Sequence, residues 1–217
     1  MGIQERRERE KEQRRHDILD AAEKVFFSKG LHESTMDDVA DAAELSKGTL
    51  YLYFKSKEEL YLGIHQRGFT KMREMFMEAI ADKKTGLEKL QAVGYAYFNF
   101  ARKYPDYYQA IMYFEKTILD YSQDGDLMEH YHDDGINIMS FVQDLLRYGI
   151  KDGSIQENFD IEKMSYILWG QVSGIIQIVS KISRHKAHNL SFEPDELFEE
   201  YMQLCLLNFN NLNQKDK

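Results

Sequence analysis

The stretch Thr35 to Leu60, TMDDVADAAELSKGTLYLYFKSKEEL, constrains this chain more than any other. Met36, Val39, Ala40 and Ala43 recur at helical spacing behind Thr35, so a short helix with one apolar face is expected there. Ser34 with Asp37, or Thr35 with Asp38, offers a capping box in which side chain and backbone satisfy each other's amide groups. Leu45 interrupts the polar turn that follows and can plug between two helices. Ser46 is a good N-cap for a second helix over Lys47 to about Tyr53. Ser56-Lys57-Glu58-Glu59 opens a third, longer helix with Glu59 as the reciprocal partner. Leu50 and Phe54, four residues apart, share an inward face. Three capped starts joined by two tight connections are what a helix-turn-helix needs, with one helix braced on a nucleic-acid backbone and the next entering the major groove N-terminus first.

The second helix exposes an unusual set. Lys47, Gly48, Thr49, Tyr51 and Tyr53 are left facing outward or sideways. Tyrosine hydroxyls and Lys57 can hold phosphates, Gly48 lets backbone approach a base or phosphate closely, Lys47 can read a guanine edge and Thr49 a thymine methyl. With the two helix caps, the candidate DNA-contacting residues are Thr35, Ser46, Lys47, Gly48, Thr49, Tyr51, Tyr53 and Lys57. The competing description is a short amphipathic helix with ordinary polar residues outside. The coincidence of three caps with two tight turns argues against it.

From Arg14 to Leu60 the chain resembles the DNA-binding domain of the tetracycline-repressor (TetR) family of bacterial transcription regulators. Ile18, Ala22, Phe26, Gly30, Thr35, Val39, Ala40, Ala43, Ser46, Gly48, Leu50, Tyr51, Phe54, Lys57 and Leu60 fall in register without a gap. The departure is Glu44, in a turn where the family often has glycine. The resemblance implies an all-α fold: an N-terminal three-helix helix-turn-helix domain over residues 1–60, with a charged extension over 1–15, and a C-terminal helical ligand-binding and dimerisation domain over 61–217. It does not say which ligand.

Composition is consistent with this. The net charge of −9 argues against a non-specific nucleic-acid binder. Charge is uneven, however: Leu45 to Lys57 holds three lysines and no acid, a local basic footprint that suits specific, salt-sensitive binding. Met1 to Arg15 carries six basic residues against four glutamates. It is either a solvated helical extension with i,i+4 pairs or a basic arm reaching DNA. It has no apolar core of a signal peptide, and no run approaches the roughly 18 apolar residues of a membrane helix. Cys205 is the one cysteine, so no intrachain disulfide can form. A cytoplasmic protein is expected.

Helical phase continues along the chain. Tyr61, Ile64, His65, Phe69, Met72, Phe76 and Ile80 stay on one stripe past Lys57, making a helix that links the DNA-binding unit to the rest. Lys29 and Gly30 close the helix built on Ile18, Ala22 and Phe26, with Gly30 in the left-handed position. Thr85 caps a helix that ends before Pro105, and Pro105 suits the first turn of the next. The helix over Ile161 to Ile182 has an apolar stripe and a stripe of mostly small residues, and that over Pro194 to Leu212 has two apolar stripes; faces of this kind on two sides ask for cover on both. A second copy of the chain provides that cover most simply, with Gly170, Ser173, Gly174, Phe198, Met202 and Phe209 at the interface.

Between these regions, Tyr95 to Tyr121 is crowded with aromatic residues. Tyr95, Phe98, Tyr113, Phe141 and Trp169 are the candidate lining of a cavity for an apolar or aromatic effector, against the alternative of an ordinary aromatic core. His130 and His132, with Asp133 and Asp134, sit on different helix faces and do not make a shared metal site. There is no glycine-rich phosphate loop, nucleophile elbow or metal-ligand array. The expectation is a non-enzyme with no cofactor and no metal. Its expected partners are an operator in double-stranded DNA, a second copy of itself and an unidentified small-molecule effector, with no membrane. The favoured function is a dimeric, sequence-specific repressor released by a hydrophobic molecule. A ligand-independent architectural DNA binder and a helical ligand binder that has lost DNA binding are the alternatives.

Overall fold

The computed structural model describes residues 2–117, 125–185 and 190–210, and every regular element among them is an α-helix. In chain order these are α1 (Ile3–Lys29), α2 (Met36–Ala42), α3 (Lys47–Tyr51), α4 (Lys57–Ile80), α5 (Gly86–Lys103), α6 (Pro105–Thr117), α7 (Gly125–Asp152), α8 (Ile161–His185) and α9 (Pro194–Asn210). The charged N-terminal segment is not a separate arm. It is the first half of α1, with an exposed Arg6–Glu10 pair at 2.8 Å, a surface interaction of small energetic weight.

Helix starts follow the sequence closely. Of the two capping boxes available to α2, the Thr35–Asp38 box forms: the Asp38 amide donates to Thr35 Oγ1 at 3.2 Å and the Thr35 amide to Asp38 Oδ2 at 2.9 Å. Thr85 and Glu88 repeat the arrangement at α5. At the end of α1, Gly30 has φ 84° and ψ 153°. That is not the left-handed helical basin expected from sequence but the extended region at positive φ, which is essentially closed to other residues.

By packing, the described chain forms two units, Met1–Phe69 with Asp106–Tyr131, and Thr70–Pro105 with His132–Lys217. Ile18, Ala22 and Phe26 of α1, Val39 and Ala40 of α2, Leu50 of α3, Phe54, and Leu60 and Ile64 of α4 are all buried in one core of the first unit. Burying each such side chain contributes about 1.5–3 kcal/mol. The same core includes Ala110 of α6, and Tyr113 stands edge-on to Tyr61 at 5.2 Å. Packing thus groups α6 with the N-terminal helices. The division expected at residue 60, between a DNA-binding domain and a ligand-binding and dimerisation domain, stays a proposal.

The second unit is held by the end of α4 with α5, α7, α8 and α9. In it α5 and α7 cross closely: a Cβ on Gly86 would lie 2.2 Å from the Gly149 backbone. Tyr97 stacks on Trp169 at 4.8 Å, and Phe98 on Phe198 at 4.0 Å.

Candidate functional site

The turn before α3 sets the direction of that helix. The Leu45 amide donates to Ala40 O at 2.9 Å and the Glu44 amide to Asp41 O at 3.1 Å. These two bonds are the Schellman pattern, which places the residue after the C-cap in the left-handed basin. That residue is Glu44, with φ 56°. Leu45 follows it into the core beside Val39 and Ala40. Ser46 then caps α3, its Oγ accepting from the Thr49 amide at 3.1 Å and lying 2.7 Å from Thr49 Oγ1. Leu50 and Phe54 are fully buried, as their spacing requires.

The outward face of α3 has three features. Lys47 is exposed, and its ammonium pairs with Asp37 at 2.7 Å; this hydrogen bond, with the charge of Asp37, raises its pKa above the usual lysine value. Gly48 faces open space: a Cβ there would meet nothing closer than Ser46 Oγ at 3.9 Å. No neighbour among the described residues requires glycine, although glycine costs a helix about 1 kcal/mol against alanine. Tyr51 and Leu52 are 44% and 82% exposed, large apolar surface on a face that the core does not use.

Two members of the sequence-derived set have work inside the fold. Tyr53 is half-buried against the core, and its carbonyl accepts from Arg15 Nη1 at 3.1 Å. Lys57 donates to Leu31 O at 2.7 Å and Ser34 O at 3.1 Å, tying the loop between α1 and α2 to the start of α4. A phosphate would have to compete with these carbonyls. Arg15 was missed in the sequence, although its guanidinium also lies 4.1 Å over the Phe54 ring. Only a tertiary contact 38 residues away reveals it.

The second unit holds a half-open pocket of about 630 Å³, a volume that includes open solvent at its mouth. Its walls come from α5 (Leu87, Leu90, Gln91, Val93, Gly94, Tyr97), α8 (Leu168, Trp169, Val172) and α9 (Tyr201, Met202, Cys205, Leu206, Phe209), with Phe76 and Val142. No lining residue carries a charge. The Tyr97 hydroxyl is 3.2 Å from Ser173 Oγ. Burial, followed by a hydrogen bond with Cys205, drives the Tyr201 hydroxyl well above the ordinary tyrosine range, and burial raises the Cys205 thiol.

Of the five candidate lining residues, Trp169 alone borders this cavity. Tyr95 turns to Glu199, donating to it at 2.7 Å, and Phe98 is covered by Phe198. Phe141 stacks behind Phe76 at 6.2 Å. Tyr113 belongs to the other packing unit, against Tyr61 and His32.

The interface set also divides. Ser173, Phe198, Met202 and Phe209 are buried within one chain, and Met202 and Phe209 line the cavity, so these four do not form an outer face. Gly170 and Gly174 do face open space. Near them on α8, Tyr166 and Ile167 are exposed, as is Leu204 on α9. His130, His132, Asp133 and Asp134 lie outside the residues whose side chains are described. Among the described residues no cluster of His, Cys, Asp or Glu could hold a metal ion, and no helix is long and apolar enough to cross a membrane.

Residues 18–64, the three-helix core with its capped α2–α3 turn, match the family of bacterial regulatory proteins described as tetR. Residues 18–64 are thus a DNA-binding domain of the TetR type. It is 28% identical over 156 residues to the fatty acid metabolism regulator protein of Bacillus subtilis (strain 168), covering 71% of this chain and 77% of that one. Solved structures share the fold. The transcriptional regulator FadR from Bacillus subtilis, in complex with stearoyl-CoA, superposes with a TM-score of 0.64 at 21% identity, over 88% of this chain and 97% of that one. AibR, in complex with isovaleryl coenzyme A and operator DNA, does so with a TM-score of 0.64 at 15% identity, over the same 88% and 97%. The chain is therefore a DNA-binding regulator with an N-terminal helix-turn-helix and a helical remainder.

Proposed function

We propose that this protein is a dimeric transcriptional repressor that reads a near-palindromic operator with α3 and is released by an apolar acyl compound. The observation that carries the DNA reading is Gly48: a helix position open to solvent, with no neighbour to accommodate, keeps a residue unfavourable to helices. Close approach by an outside backbone or base gives that glycine a purpose, and Tyr51, Leu52 and Lys47 stand around it. Lys47 exchanges Asp37 for a base edge, Thr49 meets a thymine methyl, and Tyr51 holds phosphate. Thr35 and Ser46 fix the two helix starts that orient this face.

The dimer rests on the open side of α8 and α9. Gly170 and Gly174 admit a helix at short range, and Tyr166, Ile167 and Leu204 supply apolar area for a second copy to cover. The effector reading rests on the uncharged cavity, since such a lining suits an apolar chain. The relatives that bind stearoyl-CoA and isovaleryl coenzyme A favour an acyl thioester.

Selection from a random DNA pool tests the proposal. An enriched motif with two half-sites about 10 base pairs apart, or a multiple of that, is expected. Tyr51→Ala should weaken binding to every sequence, while Lys47→Ala should change base preference. A pool with no enriched motif would sink the DNA reading. A stable monomer in sedimentation at micromolar concentration would remove the dimer.

A further inference from the structure

We propose that Gln91 anchors the effector, its side-chain amide donating a hydrogen bond to an uncharged carbonyl, and that the cavity therefore selects an acyl ester or thioester over the free acid. This rests on the reading of the cavity as the effector site.

The polar groups around the cavity are few, and two of its hydroxyls are already engaged. The Tyr97 hydroxyl pairs with Ser173 Oγ at 3.2 Å, and the Tyr201 hydroxyl with the Cys205 thiol. Trp169 is stacked on Tyr97. Gln91 is different. It lines the cavity among Leu87, Leu90 and Gly94, and its amide has no hydrogen-bond partner among the described residues. A primary amide carries two N–H donors and one acceptor. A donor removed from water by an apolar ligand has to find a new acceptor, or binding loses the group's hydration without return. The ligand that fits supplies that acceptor beside its apolar part.

The same lining says which acceptor. An ionised carboxylate needs a cation or several donors once desolvated, and no lining residue carries a positive charge. One amide is too little for a carboxylate but matches an ester or thioester carbonyl. An acyl thioester satisfies both demands, because its charged portion is remote from the carbonyl and can stay in solvent.

Trp169 is the chain's one tryptophan and borders the cavity, so its fluorescence reports occupancy without a label. The full-length protein is titrated at neutral pH with dodecanoyl-CoA, methyl dodecanoate, dodecanoate and dodecane. The ester is expected to bind roughly three- to tenfold more tightly than dodecane, the scale of one neutral hydrogen bond, and at least about tenfold more tightly than dodecanoate. Gln91→Met keeps length and apolar bulk but removes the donor. It should erase the ester's advantage over dodecane while leaving dodecane affinity and melting temperature unchanged. Dodecanoate bound as tightly as the ester, dodecane bound as tightly as the ester, or an ester affinity unaffected by Gln91→Met would each overturn the anchor, with the cavity still an effector site. If none of the four compounds perturbs Trp169 in the wild-type protein, the cavity reading itself falls and the anchor with it.

Discussion

Glu44 holds φ 56° in the α2–α3 turn, where two backbone hydrogen bonds from residues 44 and 45 fix the left-handed conformation. A residue with a Cβ adopts that basin at a cost of about 1 kcal/mol, which glycine avoids. Glu44→Gly should raise the melting temperature by about 2–4 °C and tighten DNA binding, because an exposed carboxylate beside α3 repels phosphate. Unchanged melting and unchanged affinity together would show that the strain is absorbed elsewhere. This position was legible in the sequence because turn chemistry is local. Lys57 was legible as a cation at a helix start, but its carbonyl partners come from Leu31 and Ser34, which only the fold brings within reach. His65 is a third case. It is fully buried on α4 beside Phe69, and desolvation lowers its pKa to about 3. The folded protein thus keeps His65 neutral where an unfolded chain takes up a proton below about pH 6.5. Stability from this group is whole above pH 6.5 and is lost as pH falls toward 3, by about 2 kcal/mol at pH 5. Chemical denaturation at pH 7.5 and pH 5 should show that loss, and His65→Phe should remove most of it.

At the scale of elements, the sequence gives starts better than partners. Caps at Thr35, Ser46 and Thr85 and the break at Pro105 are written in a few adjacent residues, and the helices begin there. Which apolar stripe faces which neighbour is a tertiary matter. In α9, two stripes suggested that one was left for a second copy, yet Phe198, Met202 and Phe209 are all covered within the chain. The aromatic run over α5 and α6 read as one layer, but α6 packs with α1 and α4 while α5 packs with α8 and α9. The cavity walls are largely aliphatic, with Leu87, Leu90, Val142 and Leu206 beside five aromatic rings, and aliphatic positions carry no mark that separates core from lining. The crossing of α5 on α7 has the same character. Gly86 looks in the sequence like the first residue after a cap. In the fold its missing Cβ is what lets the Gly149 backbone approach to 2.2 Å of where that atom would stand. Backbone cannot swing aside as a side chain can. Gly86→Ala should therefore cost about 1–3 kcal/mol or more, the scale of overpacking a filled core. Urea denaturation measures this, and a midpoint within error of wild type would mean that α5 and α7 can separate at little cost.

At the scale of the whole molecule, the DNA-reading helix belongs to one packing unit and the cavity to the other, while α4 contributes residues up to Phe69 to the first and from Thr70 to the second. In a dimer, the two α3 helices must stand about 34 Å apart to enter successive major grooves. A ligand that favours a state in which α4 tilts changes that separation and so weakens the complex with DNA. Such a ligand shifts the equilibrium only by its differential affinity for the two states, and a coupling of about 1–3 kcal/mol gives a roughly 5–150-fold loss of operator affinity. Linkage makes the effect reciprocal: operator DNA must weaken ligand binding by the same factor. Trp169 in the cavity wall makes both directions measurable on one protein. Dodecanoyl-CoA should lower operator affinity in a gel shift, and saturating operator should lower dodecanoyl-CoA affinity, read by Trp169 fluorescence, by an equal ratio. A ligand that fills the cavity equally well with and without operator has no coupling to transmit. That result would leave the helix-turn-helix intact and move this chain to the ligand-independent, architectural class of DNA binder.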